Sequence, residues 1–177
     1  MRRGDRDAEF VDFVRSHRAM LVRTATLLCA GDSGYAEDLV QTTLTRLYLS
    51  WSRERRARSP LAYARASLTH AFVDENQRAH RRRETVWGRP QDLDPHAPAV
   101  GDEHDLRDVV RDALAALGPR QRAVVVLRHF HDLDVAETAR LLGCSEGTVK
   151  SQNARAIAHL RSSLTADDVH REKEHQR

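Results

Sequence analysis

The stretch Asp134-Val135-Ala136-Glu137-Thr138-Ala139-Arg140-Leu141-Leu142-Gly143-Cys144-Ser145-Glu146-Gly147-Thr148-Val149-Lys150-Ser151 decides how the chain folds. Asp134, with Glu137 three residues on, is a capping-box signal that opens a short helix. Gly143 closes it where a left-handed backbone is wanted, and Ser145 caps a second helix that starts at once. A turn of about three residues between two helices sets them at a steep angle. Ala139 is small where such helices would cross, and Val149 returns to a shared core.

That arrangement is similar to a DNA-binding helix-turn-helix, with Ala139, Gly143 and Val149 at the three characteristic positions. An ordinary corner in a helical bundle uses the same turn chemistry, so both readings stay open at this point. If the motif reads DNA, the second helix presents Ser145 to Ser151 to the major groove, and Lys150 and Arg155 reach phosphates or guanine edges. A phosphate-cradling loop is excluded, because no strand precedes the glycines and Lys150 does not directly follow one.

Working back toward the N-terminus, the apolar spacing is helical. Arg120 to Phe130 contains the β-branched run Val124-Val125-Val126, but no clear partner strand exists elsewhere, so it reads as a buried helix. Leu106, Val109, Val110, Leu114 and Leu117 form an amphipathic helix expected to stop at Gly118, with Pro119 starting its successor. Residues 85–104 lack periodicity and carry Gly88, Gly101, Pro90, Pro95 and Pro98, the marks of a flexible linker. Before it come three helical runs: Phe10, Phe13, His17, Met20, Leu21 and Leu28; Val40, Leu44, Leu47 and Trp51; and Leu61, Ala64, Leu68 and Phe72, the last opened by Ser59-Pro60. Beyond Val73 the third run turns polar.

The expected fold is therefore all-α: two small helical domains joined by a flexible linker, the C-terminal one containing the helix-turn-helix. The domains span 1–84 and 105–164, with a disordered tail over 165–177.

The 177 residues are 40% apolar and only 5% aromatic, which argues against a β-sandwich, and arginine supplies all but two of the 29 basic side chains. Net charge is about zero over residues 1–50, +5 over 51–84, −4 over 85–118, +3 over 119–164 and −1 over the tail. Two basic blocks separated by an acidic one suggest two modules that each meet a polyanion. No apolar run approaches a bilayer span and no signal core follows Met1, so a soluble, cytoplasmic protein without membrane contact is expected. Cys29 and Cys144 lack metal-ligand spacing and read as structural thiols. No metal or cofactor is expected.

In the N-terminal half, Ala36-Glu37-Asp38-Leu39-Val40-Gln41 opens the second helix with acidic residues in its first turn. Trp51 to Pro60 carries Arg53, Arg55, Arg56 and Arg58, followed by Tyr63, Arg65, Arg78, Arg81, Arg82 and Arg83. Guanidinium groups beside ring faces are what unstacked single-stranded DNA needs. Trp51, however, also lies at core spacing.

In this order and spacing, the pieces resemble the bacterial RNA polymerase sigma factors of the small extracytoplasmic-function type, most closely an actinobacterial, SigE-like group. The resemblance covers about Phe10 to Leu164, and Leu142-Gly143-Cys144-Ser145-Glu146-Gly147-Thr148-Val149-Lys150-Ser151 is its most specific string. It implies that Glu37, Asp38, Leu39, Gln41 and Leu44 bind core polymerase in region 2. It also implies that Trp51, Arg53, Arg55, Arg56, Arg58, Tyr63, Arg65, His70, Asp74, Arg78 and Arg81 open and read the minus-ten element on the non-template strand, with Trp51 to Pro60 as a base-capturing loop. Ser145, Glu146, Gly147, Thr148, Lys150, Ser151, Asn153 and Arg155 would bind the upstream, minus-thirty-five element in region 4. The implied partners are RNA polymerase core enzyme, promoter DNA and an anti-sigma factor. The chain departs from the usual family pattern at His70, Glu75, Asn76 and Gln152.

Two rivals belong to other classes. An autonomous helix-turn-helix regulator needs a dimer seam, which the sequence does not display. An enzyme needs a nucleophile beside a base, paired carboxylates or a Gly-rich cradle, and none is evident. His129 and His131, two apart on a helix, do not share a face for chelation.

Overall fold

The structure, a computed structural model, describes the backbone of residues 3–55, 59–87 and 106–174, and side chains over 4–55, 59–78 and 108–163. Among the described residues there are seven α-helices: α1 (Arg3–Leu28), α2 (Ser33–Glu54), α3 (Pro60–Trp87), α4 (Leu106–Ala115), α5 (Pro119–Val125), α6 (Val135–Leu142) and α7 (Glu146–Glu174). There is no strand among the described residues. The Val124-Val125-Val126 run is helical and buried, as its lack of a partner strand predicted. The chain divides into two compact units, Met1–Glu75 and Asn76–Arg177. Of the linker expected over 85–104, residues 85–87 are the end of α3 and residues 88–104 lie outside the described residues.

The first unit is built on antiparallel α1 and α2. Arg18 pairs with Glu37 at 2.6 Å and Tyr48 Oη donates to Asp7 at 2.9 Å, so residue numbers rise along one helix as they fall along the other, and Arg55, just past α2, bonds Glu9 at 2.8 Å. α1 ends through left-handed Ala30 (φ 50°) and Gly31 (φ 87°), whose N–H returns to the Thr26 carbonyl. Asp32 then caps α2, accepting from the Tyr35 N–H at 2.9 Å. α2 therefore starts earlier than the sequence suggested, and Glu37 and Asp38 fall beyond its first turn. α3 starts where Ser59 Oγ accepts from the Ala62 N–H, and it buries Ala64, Leu68 and Phe72, the last with its ring centroid 6.5 Å from that of Tyr35 on α2.

The second unit places Val124 of α5, Ala139 of α6 and Val149 of α7 in one apolar cluster, with Val135, Leu142 and Cys144 packed against it. The sequence correctly assigned Ala139 and Val149 to this crossing. Gly118 differs from expectation: at φ −59°, ψ 151° it is extended, and it precedes α5 rather than capping α4. The end of α4 is closed instead by Arg122, whose Nη2 donates to the Ala115 and Leu117 carbonyls at 3.0 Å. Immediately after α5 the helix widens into a π-helical turn, Val126–Phe130, in which the His131 N–H reaches the Val126 carbonyl. α7 continues to Glu174, so residues 165–174 are helical where a disordered tail was expected.

Candidate nucleic-acid and polymerase interfaces

The helix-turn-helix forms as its residues dictate. Asp134 Oδ1 accepts from the Glu137 N–H at 2.7 Å and Glu137 Oε2 from the Asp134 N–H at 3.3 Å, the reciprocal capping box. Gly143 adopts φ 61°, ψ 38°, and its left-handed turn returns the Cys144 N–H to the Ala139 carbonyl. Ser145 Oγ accepts from the Thr148 N–H at 3.1 Å and lies 2.9 Å from Thr148 Oγ1, so both hydroxyls are engaged in starting α7. Glu146, Gly147, Lys150, Ser151, Ala154 and Arg155 are exposed. With Val149 and Ala156 turned into the core, these residues form an outward surface at the start of α7. The small Gly147 and Ala154 allow close approach of another molecule, while Lys150 and Arg155 supply positive charge. Asn153 lies on the flank of this surface, half-buried, and its Oδ1 is bonded to His129.

On α2, Asp38, Gln41, Thr42, Thr45, Leu49 and Ser52 are exposed, at three/four spacing along one face. Glu37 is half-buried and paired with Arg18; Leu44 is half-buried. Leu39 is a correction to the sequence reading: it is buried in the helical core, so its side chain is not offered to a partner. Sequence analysis missed Leu49, which is 77% exposed on the same stripe as Asp38 and Thr45. Its three/four spacing from those two was the available signal.

Among the described residues, the candidate minus-ten side chains do not form one surface. Trp51 is only 3% exposed and belongs to α2, not to a loop. Its ring packs edge-on against Phe10 at 5.2 Å and against Phe13 at 5.1 Å, so a base cannot stack on it there. Arg55 is half-buried and tied to Glu9. Arg53 is exposed, and its guanidinium is pushed above its ordinary range by its hydrogen bond to the buried Glu54 carboxylate, with a smaller contribution from Tyr63. On α3, Tyr63, His70, Asp74 and Arg78 follow one another at helical spacing; His70, Asp74 and Arg78 are exposed and Tyr63 is half-buried. Arg81 continues that spacing, though its side chain lies outside the described residues. Arg65 is two residues from Tyr63, on the side of α3 that carries buried Leu68, Thr69 and Phe72. Burial lowers its pKa, and it is not part of the Tyr63–Arg78 stripe. Arg56 and Arg58 lie outside the described residues.

No helix among the described residues is long and apolar enough to cross a membrane. Cys29 is buried and Cys144 half-buried, both as free thiols.

Comparison with known proteins matches Sigma-70 region 2 over residues 13–84 and Sigma-70 region 4 over residues 107–160. The chain is 38% identical over 170 residues to the RNA polymerase sigma-E factor of Streptomyces coelicolor, covering 91% of this chain and 89% of that one. It is 33% identical over 154 residues to the ECF RNA polymerase sigma factor SigL of Mycobacterium tuberculosis, covering 84% of each. Among solved structures, the sigma factor RpoE of Bartonella quintana, in complex with the anti-sigma factor NepR, aligns with TM-score 0.68 at 25% identity, over 90% of this chain and 98% of that one.

Proposed function

Because the chain belongs to the sigma-70 family, among the extracytoplasmic-function RNA polymerase sigma factors, we propose a division of labour between its two units in promoter-directed transcription initiation. The protein directs RNA polymerase core enzyme to specific promoters. It supplies recognition and strand opening, and the chemistry of RNA synthesis stays with the polymerase, which places its work in the cytoplasm. The expected domain division, 1–84 and 105–164 about a linker, assigns the polymerase and minus-ten contacts to the first and the upstream contact to the second.

In this reading the exposed α2 face, Asp38, Gln41, Thr45 and Leu49, docks on core polymerase, while Leu39 supports it from beneath. The α3 stripe of Tyr63, His70, Asp74, Arg78 and Arg81, with Arg53 beside it, meets the non-template strand at the minus-ten element. Opening the duplex costs a few kcal/mol of stacking, offset by new stacking and hydrogen bonds to extruded bases. The α7 surface, Gly147, Lys150, Ser151 and Arg155, enters the major groove of the upstream element. Neither contact needs to be tight alone, since docking on one polymerase raises the effective concentration of each. An anti-sigma factor is the natural regulator, acting by covering one of these faces.

The observation that carries the proposal is the exposed start of α7, fixed by the Asp134–Glu137 box, Gly143 and Ser145. In vitro transcription with purified core polymerase across a genomic fragment library tests it. Start sites that need both core and this chain are expected; tight operator binding in the absence of polymerase would instead indicate an autonomous regulator.

A further inference from the structure

We propose that His129 is a specificity-determining positioning residue, which fixes the face that the Asn153 amide offers to the upstream element; this rests on α7 being the helix that reads it. His129 Nε2 lies 3.0 Å from Asn153 Oδ1. A carbonyl oxygen only accepts, so the ring nitrogen donates, and both the Nε2–H tautomer and the imidazolium can do so.

The placement of His129 follows from the π-helical turn. Val126 and Leu127 are buried and anchor it, while His129 and Phe130 are exposed at its end. The wider turn is closed by the His131 N–H on the Val126 carbonyl and the Leu133 N–H on the Leu127 carbonyl, both at 3.1 Å. Arg128 Nη1 also donates to the Leu133 carbonyl, tying the turn to the segment that leads through left-handed Asp132 (φ 52°) into α6. One extra residue in a helical turn re-aims every side chain within it, a device common at functional sites. Here it sets an imidazole from the end of α5 against the flank of α7, where Asn153 is three residues beyond exposed Lys150 and seven beyond exposed Glu146.

An unrestrained asparagine amide is nearly symmetric in shape and can turn either its oxygen or its nitrogen toward a base. With the oxygen held by His129, the Asn153 nitrogen is turned away from the ring, and the side chain approaches DNA as a donor. A donor suits accepting groups in the major groove, guanine O6 and N7, adenine N7 or thymine O4, and opposes the amino group of cytosine. Without His129 the amide turns over freely and accepts both kinds.

The test uses the full-length chain with core polymerase on promoters in which each upstream-element base is substituted singly. Wild type is expected to disfavour cytosine relative to guanine or thymine at one position, a preference absent in Asn153→Ala. His129→Ala is expected to reduce that preference about fivefold, the lower end for one base contact, with transcription from the best promoter and the melting temperature nearly unchanged. His129→Lys, which offers only donors, should retain the wild-type ratio, and combining His129→Ala with Asn153→Ala should match Asn153→Ala alone. The proposal is overturned if His129→Ala lowers all promoters equally or leaves the base profile unchanged. Lys150→Ala separates the two levels: if it weakens all upstream sequences alike while His129→Ala alters no ratio, the recognition-helix reading stands and the positioning role alone fails. If no upstream substitution affects wild type, both fail.

Discussion

The Ala115 and Leu117 carbonyls at the end of α4 depend on one side chain from the next helix, Arg122. Arg122→Ala should cost about 2 kcal/mol in urea unfolding, because two charge-assisted bonds are lost together. Gly118 was the sequence-level candidate for this closure, and nothing in the local pattern distinguished it from an arginine seven residues after Ala115. Tyr35 gives a pH signature. Its hydroxyl is buried without a hydrogen-bond partner among the described residues, and burial pushes its pKa up to about 12. The unfolded chain ionises this group near pH 10, so ionisation favours unfolding, and the stability present below about pH 10 is lost as pH rises toward 12. Tyr35→Phe should flatten that alkaline decline, read as the midpoint of chemical unfolding against pH, without loss at neutral pH.

Among the elements, α2 and α7 show how a helix divides its faces. α2 buries Leu39, Val40, Leu47 and Trp51 while exposing Asp38, Thr45 and Leu49. Leu49→Ala should weaken binding of core polymerase about fivefold, a modest interface truncation, and leave the melting temperature unchanged, since the side chain is already solvated. α7 is begun by Ser145, and Ser145→Ala should cost about 1 kcal/mol of stability through loss of the cap. Lys150→Ala should instead leave stability intact and reduce the slope of log affinity against log salt by about 1 for the upstream element, measured with the holoenzyme. Helix existence, the Ser59 and Ser145 caps and the Gly143 turn were legible because each is a local backbone requirement met by a neighbouring side chain. The burial of Leu39 and the desolvation of Arg65 were not legible, and Trp51 was left between core and loop, because helical spacing shows that two residues share a face without showing what covers it.

At the scale of the whole molecule, the proposed function has two compact units on one chain meeting promoter elements that the polymerase holds in register. Supplying residues 1–87 and 106–177 as separate chains should reduce promoter-specific transcription at least about a hundredfold at equal concentration, with each half still helical by circular dichroism, because the linked effective concentration is lost. Sequence alone determined that the chain is helical and that its C-terminal part turns on Gly143, properties that follow from periodicity, caps and turn residues acting over a few positions, and the order of its motifs carried the family resemblance. Only tertiary structure decided that Trp51 is core, that Leu49 is surface, that Arg122 closes α4 and that His129 meets Asn153. Those outcomes join residues as far apart as Phe10 and Trp51, or His129 and Asn153, and depend on how whole helices pack, which local spacing does not encode.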